Sequence, residues 1–150
     1  MEAFYMFDNM TTVCNNKQIN LKEVNVGDLV LADKDKWDVV VDINEIFVNG
    51  IIEIVLFDKG IIQVHPEANL FIVKIIDNHY SDIELKKAKD VKSNDILVGI
   101  NFNRGKDNVI YHYEHVLFSR KLEIPAYLYI LETKNLKTYL LNGVFVQNNF

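Results

Sequence analysis

Leu21-Lys22-Glu23-Val24-Asn25-Val26-Gly27-Asp28-Leu29-Val30-Leu31 and Ala88-Lys89-Asp90-Val91-Lys92-Ser93-Asn94-Asp95-Ile96-Leu97-Val98 carry one pattern twice. Each reads as a helical turn, a tight turn ending in Asp, and then a strand. Asn94 stands where the first copy has Gly27, and both residue types suit a left-handed backbone position. A second pair follows the first. The segment from Ile52 to Val64 is an apolar run, then Asp58-Lys59-Gly60, then another strand, and it resembles the segment from Leu128 to Leu140. Two copies of one β unit predict a pseudo-twofold β fold made by duplication. The period of about 70 residues is too long, and the copies too few, for a solenoid.

The rest of the chain agrees with an all-β reading. Short runs rich in β-branched and aromatic residues recur, among them Val39-Val40-Val41, Ile54-Val55-Leu56-Phe57, Leu70-Phe71-Ile72-Val73 and Val144-Phe145-Val146. Turn signals separate them: Asp33-Lys34-Asp35, Asn49-Gly50, Lys59-Gly60, Arg104-Gly105-Lys106-Asp107 and Asn142-Gly143. Turns spaced about 8–12 residues apart point to a sandwich or barrel. The two Asn-Gly pairs predict tight reversals, since both residues accept positive φ cheaply. Helical spacing is confined to Leu21 with Val24 and to Leu85, Ala88 and Val91, enough for one or two short helical turns. No Gly/Ser/Pro-rich linker divides residues 1–150, so one domain is expected.

Composition narrows the functional classes. The 150 residues are 49% hydrophobic and 25% charged, which excludes disorder. The formal charge of −5 repels phosphate backbones, so no nucleic-acid partner is expected. The lysine-rich run Lys86-Lys87-Ala88-Lys89 reads as a solvated face. A single cysteine, Cys14, excludes an intrachain disulfide framework and a multi-cysteine zinc site. Cys14 itself reads as a small buried hydrophobe beside Val13. His112, Glu114 and His115 are too few for a metal centre, and strand residues three apart face opposite sides, so neither metal nor cofactor is expected. The acidic amino terminus lacks the basic and apolar regions of a signal peptide, and no stretch is long and apolar enough to span a membrane. A cytoplasmic or virion-associated protein is expected. The abundance of Asn, Ile and Lys suits an AT-rich genome such as that of a virus or phage.

The order and spacing of these segments resemble the Hint (hedgehog/intein) domain, the self-processing fold of inteins and of the hedgehog autoprocessing region. Met6-Phe7-Asp8-Asn9-Met10-Thr11-Thr12-Val13 looks like the amino-terminal block, continued by the segment from Ile19 to Leu31. The segment from Ile62 to Val73 resembles the second block, and that from Lys87 to Val98 the second Asp-turn segment. Tyr129-Ile130-Leu131-Glu132 and the run from Tyr139 to Asn148 are similar to the two carboxy-terminal blocks.

Carried over residue by residue, the resemblance implies an impaired site. The initiating thiol or hydroxyl falls at Met6, whose thioether has no proton to lose and cannot form a thioester. The Thr and His that polarise the scissile amide fall at His65 and Ala68, and a methyl group moves no proton. The family's Asp falls at Ile130. The His before the terminal Asn falls at Gln147, which hydrogen-bonds but is no acid near neutral pH. Asn148 keeps the side chain whose cyclisation would cut the backbone, yet Asn149 offers no acceptor nucleophile. His65 and Asn148 are therefore read as vestigial: a hydrogen-bonded imidazole in the old Thr slot, and an inert amide at the end of the last strand. Five residues precede Met6 and two follow Asn148, which leaves little protein to ligate.

The function expected is a degenerate Hint domain acting as a non-catalytic structural or protein-interaction module. Its partners would be other proteins, in the setting of a larger viral or phage assembly. The competing expectation is an autoprocessing element with residual cleavage at Asn148. A third, a small-ligand β-barrel binder, predicts a sizeable apolar cavity.

Overall fold

The computed structural model describes residues 4–5, 9–13, 17–102 and 109–148. Its strands are β1 (Phe4–Tyr5), β2 (Met10–Val13), β3 (Lys17–Asn20), β4 (Leu29–Asp33), β5 (Lys36–Val48), β6 (Ile51–Leu56), β7 (Ile61–Val64), β8 (Asn69–Val73), β9 (Ile75–Ile76), β10 (His79–Tyr80), β11 (Glu84–Lys87), β12 (Ile96–Phe102), β13 (Val109–Leu122), β14 (Ala126–Thr133), β15 (Thr138–Leu141) and β16 (Val144–Gln147). One sheet runs β1-β14-β5-β4-β2-β3. A second runs β11-β8-β16-β12-β13-β6-β7, with β15 paired to β16, and β9-β10 form a small ribbon. The fold is all-β, and its helical content among the described residues is short 3-10 turns.

The duplication read from the sequence appears as a repeated hydrogen-bond pattern. Leu21–Glu23 and Ala88–Asp90 are each one 3-10 turn. Val24 N donates to Leu21 O at 3.2 Å, and Val91 N to Ala88 O at 3.2 Å. Asp28 Oδ2 accepts from Asn25 N at 2.9 Å, and Asp95 Oδ2 from Lys92 N at 3.0 Å. Gly27 (φ +95°) and Asn94 (φ +73°) hold the left-handed position, and their amides donate to Val40 O and Val116 O. The amides of Val40 and Val116 return bonds to Asp28 O and Asp95 O, both at 2.9 Å.

The two halves also exchange partners. The long β5 of the first half pairs with β14 of the second, while β13 of the second pairs with β6 of the first. Each pairing carries one register shift, at Glu132/Thr133 and at Val116/Phe118. The main core lies where these pairs cross, with Val30, Val40, Ile54, Ile62, Leu70, Leu97, Val116, Leu131 and Tyr139 all buried.

Two local expectations are corrected. Asn49-Gly50 makes no hairpin: β5 and β6 belong to different sheets, so this pair is a corner between layers. Asn142-Gly143 is the tight reversal expected, joining β15 to β16 with φ of +48° and +87°. Leu85 is not helical but sits half-exposed in β11, because Glu84–Lys87 finds a strand partner in β8. No described helix is long and apolar enough to cross a membrane.

Candidate functional site

The turn after β7 places the first group of the site. Pro66 keeps His65 extended, and Glu67 N donates to His65 Nδ1 at 3.0 Å. Nδ1 is therefore the acceptor, and the neutral ring carries its proton on Nε2. Burial pushes the His65 pKa below its ordinary value, against the raising effect of the Glu67 carboxylate, so the ring is neutral at pH 7. Glu67 is gripped by Lys87 Nζ and Lys89 Nζ, each at 2.6 Å. These two bonds hold its carboxyl down at about 2. Two exposed lysines of the lysine-rich run thus pin the turn from the solvent side, and a third, Lys86, reaches Asp95 at 2.8 Å. Ala68 N donates to His65 O at 3.0 Å. The Ala68 residue is 0% exposed and packs into the main core.

The β15–β16 hairpin brings the second group. Its turn residue Asn142 accepts from Met10 N at 2.8 Å and donates through Nδ2 to Ile61 O at 2.8 Å. Asn142 N donates to Met10 O at 2.8 Å. One side chain thereby ties the start of β2 and the start of β7 to the hairpin. At the hairpin's far end Gln147 pairs with Thr138 and with Asn69 of β8. Asn148 follows, and its Nδ2 donates to the Tyr139 hydroxyl. That hydroxyl also accepts from Leu131 N at 3.3 Å. Burial pushes the Tyr139 pKa up to about 12, so the phenol is neutral at pH 7.

His65, Ile130, Tyr139 and Asn148 meet in one recess of about 20 Å³, closed on another side by Asn9. That is room for about one water molecule. Beyond Ile130 and Asn148 the surface opens into a wider recess of about 420 Å³, bordered by Glu45, Glu132 and Lys137. The structure therefore gathers His65, Ile130 and Asn148, sets Gln147 one residue away in the adjoining strand, and keeps Ala68 in the same turn with His65. Met6, Cys14, Asn149 and Phe150 lie outside the described residues. Tyr139 is the member that sequence reading missed as a site residue. Its signal was available, since an aromatic in a four-residue buried strand next to the last hairpin must find a partner for its hydroxyl.

Comparison with solved structures settles the architecture. An intein-like domain from Clostridium thermocellum is similar at a TM-score of 0.73, with 15% identity over 99% of each chain. A DnaX mini-intein from Spirulina platensis is similar at 0.72, with 15% identity over 94% of this chain and 96% of the other.

This chain has the intein fold.

The transcription factor IIB Mvu mini-intein adds a TM-score of 0.70 at 18% identity, over 97% of this chain and all (100%) of that one. No protein-family model matches the sequence, and no curated protein matches it. The likeness to inteins is thus one of Hint-type architecture rather than of sequence.

Two further features lie outside the recess. A cavity of about 190 Å³ is lined by Phe71, Val98, Tyr111, Leu136 and Phe145, with Asp33 at its edge. It is apolar, as a small-ligand binder requires, but falls below the roughly 300–1,000 Å³ usual for such sites. The second feature is a polar cluster. Glu114, 1% exposed, accepts from His112 Nε2 at 2.8 Å and from Asp58 N at 2.7 Å. His115 takes no part in it and is exposed. His112 and Glu114 are two apart on β13 and so share a face, and the turn between β6 and β7 delivers Asp58 to them. Sequence reading missed Asp58 because it is more than fifty positions from its partners.

Proposed function

We propose that this chain is a Hint domain that no longer splices and now serves as a non-catalytic structural or protein-interaction module. The observation that carries the reading is the chemistry at the recess. Where the resemblance to inteins calls for proton donors and acceptors, the chain offers the buried methyl of Ala68, the side chain of Ile130 and the amide of Gln147. His65 is neutral, and Tyr139 is a weak acid at pH 7. Met6 at the initiating position has no ionisable group. The AT-rich-type composition supports a viral or phage assembly as the setting. Exposed apolar residues beside β11 and on the β9–β10 ribbon, Ile75, Ile76, Ile83 and Leu85, support another protein as the partner.

A second reading, self-cleavage at Asn148, is favoured by one observation: the Asn148 amide sits in the same recess as the His65 imidazole. Intact-mass measurement separates the two. Purified full-length chain, held at pH 7 with and without a thiol for several days, is expected to keep one unchanged mass. A species ending at Asn148, or thiol-dependent cleavage before Met6, overturns the non-catalytic reading in favour of the second.

A further inference from the structure

We propose that Asp58, His112 and Glu114 form a binding site for one divalent first-row transition metal ion, with zinc as its natural probe. The site is separate from the His65–Asn148 recess, and the inference does not depend on whether the chain splices.

The ligand chemistry is one imidazole nitrogen and two carboxylate oxygens, a set that zinc accepts with an open fourth position. All three atoms lie within 4.8 Å of one another. His112 Nε2 stands 2.8 Å from Glu114 Oε2 and 3.8 Å from Asp58 Oδ2. Ligands held at about 2.0 Å around a tetrahedral ion are about 3.3 Å apart. The two His112 separations bracket that value, and the Asp58 and Glu114 oxygens lie within 4.8 Å of each other, so a shift of up to about 1.5 Å, taken up by the exposed Asp58 side chain, would seat the ion. Glu114 is fixed by its burial and by the Asp58 amide, whereas the Asp58 side chain is exposed and free to swing. The open side at Asp58 provides the entry path.

The same cluster shows what holds the metal-free state together. Lys59 Nζ donates to Asn101 Oδ1. That bond turns the Asn101 amide nitrogen toward His112 Nδ1, at 3.2 Å. His112 then accepts at Nδ1 and carries its proton on Nε2, donating it to Glu114. A metal takes the Nε2 lone pair and needs the proton on Nδ1, where ligating histidines usually donate to an oxygen. Loading therefore turns the Asn101 amide over and releases Lys59. Lys59 is the internal competitor: its ammonium faces the charges of Glu114 and Asp58 that a dication would take over.

The test is calorimetric titration of the full chain with zinc chloride. One ion per chain is expected to bind. His112→Ala and Asp58→Asn are expected to weaken it at least tenfold, and Lys59→Met to tighten it several-fold while keeping the aliphatic stem. His79→Ala, His115→Ala and Cys14→Ser are expected to leave it unchanged. Asp58 is exposed, so its variant reports on binding without risk to folding. No binding at 100-fold excess zinc, or equal affinity in the Asp58 and His112 variants, overturns the site.

Discussion

Asp38 is 2% exposed, yet it stays ionised. Burial pushes its pKa up, but the amides of Leu136 (2.6 Å), Asn135 (2.9 Å) and Val39 (2.9 Å) push it further down, for a net value below 3.8. A carboxyl depressed in the folded state stabilises above its unfolded pKa, and the contribution is lost as pH falls through the folded value. Glu67, held near 2 by Lys87 and Lys89, acts in the same sense over a window from 4.5 down to about 2. Urea midpoints are therefore expected to hold steady above pH 5 and to fall steeply below pH 4. Asp38→Asn should flatten that fall and cost about 2 kcal/mol at pH 7, because the amide nitrogen cannot accept what the second oxygen accepted. A fall equally steep in the variant contradicts this account. Asp38 was not legible as a buried acceptor, since Asn135 and Leu136 are nearly a hundred positions away. Gly27 and Asn94 were legible, because positive φ is a local property written in residue type.

At the scale of elements, β12 and the β15–β16 turn press backbone on backbone. A Cβ built on Gly99 would lie 2.0 Å from Gly143 O, with Ile100 N bonded to that same oxygen at 3.0 Å. Neither atom can yield without opening the hairpin that carries Asn142 and presents Asn148. Gly99→Ala is expected to cost about 3 kcal/mol in denaturant unfolding. A loss below about 0.5 kcal/mol, the level of an ordinary surface change, shows that the turn relaxes instead. Strand existence was readable from β-branched runs, and both 3-10 turns from paired apolar positions. The fate of Asn49-Gly50 was not, because a corner and a hairpin use the same residues and differ only in where the next strand finds its partner. The candidate recess divides likewise. His65, Ile130 and Asn148 came from the resemblance to inteins, and Tyr139 had a local signal in its buried strand, whereas Asp58 of the separate polar cluster came only from tertiary pairing.

Across the whole molecule, the exchange of β5–β14 and β6–β13 interlocks the two halves. Ordering one half alone leaves the later part of its longest strand unpaired, because β5 meets β4 only up to Val39 and β13 meets β12 only up to His115. Phe4–Tyr5 adds a parallel pairing onto β14, and β8 supports β11, β12 and β16. A single peptide-bond cut in the exposed Tyr80–Asp82 link is therefore expected to leave a noncovalent complex that elutes as the intact chain does. Only denaturant should part the fragments, and separation in native buffer would show that the crossed pairings contribute little. Contacts between residues far apart in sequence, such as Met10 N to Asn142 Oδ1, also place the chain among slow folders, since loop closure precedes its reward.

The crossed strands carry an evolutionary corollary. A lone ancestral unit, bearing one Asp turn and one long strand, would have had nothing to lay the outer part of that strand against except a twin. Two such units trading arms would cover the outer parts of both long strands, and a later tandem fusion would only have joined what was already embraced. On that view the symmetry still legible at Gly27 and Asn94 is the imprint of a swapped homodimer that became a single polypeptide.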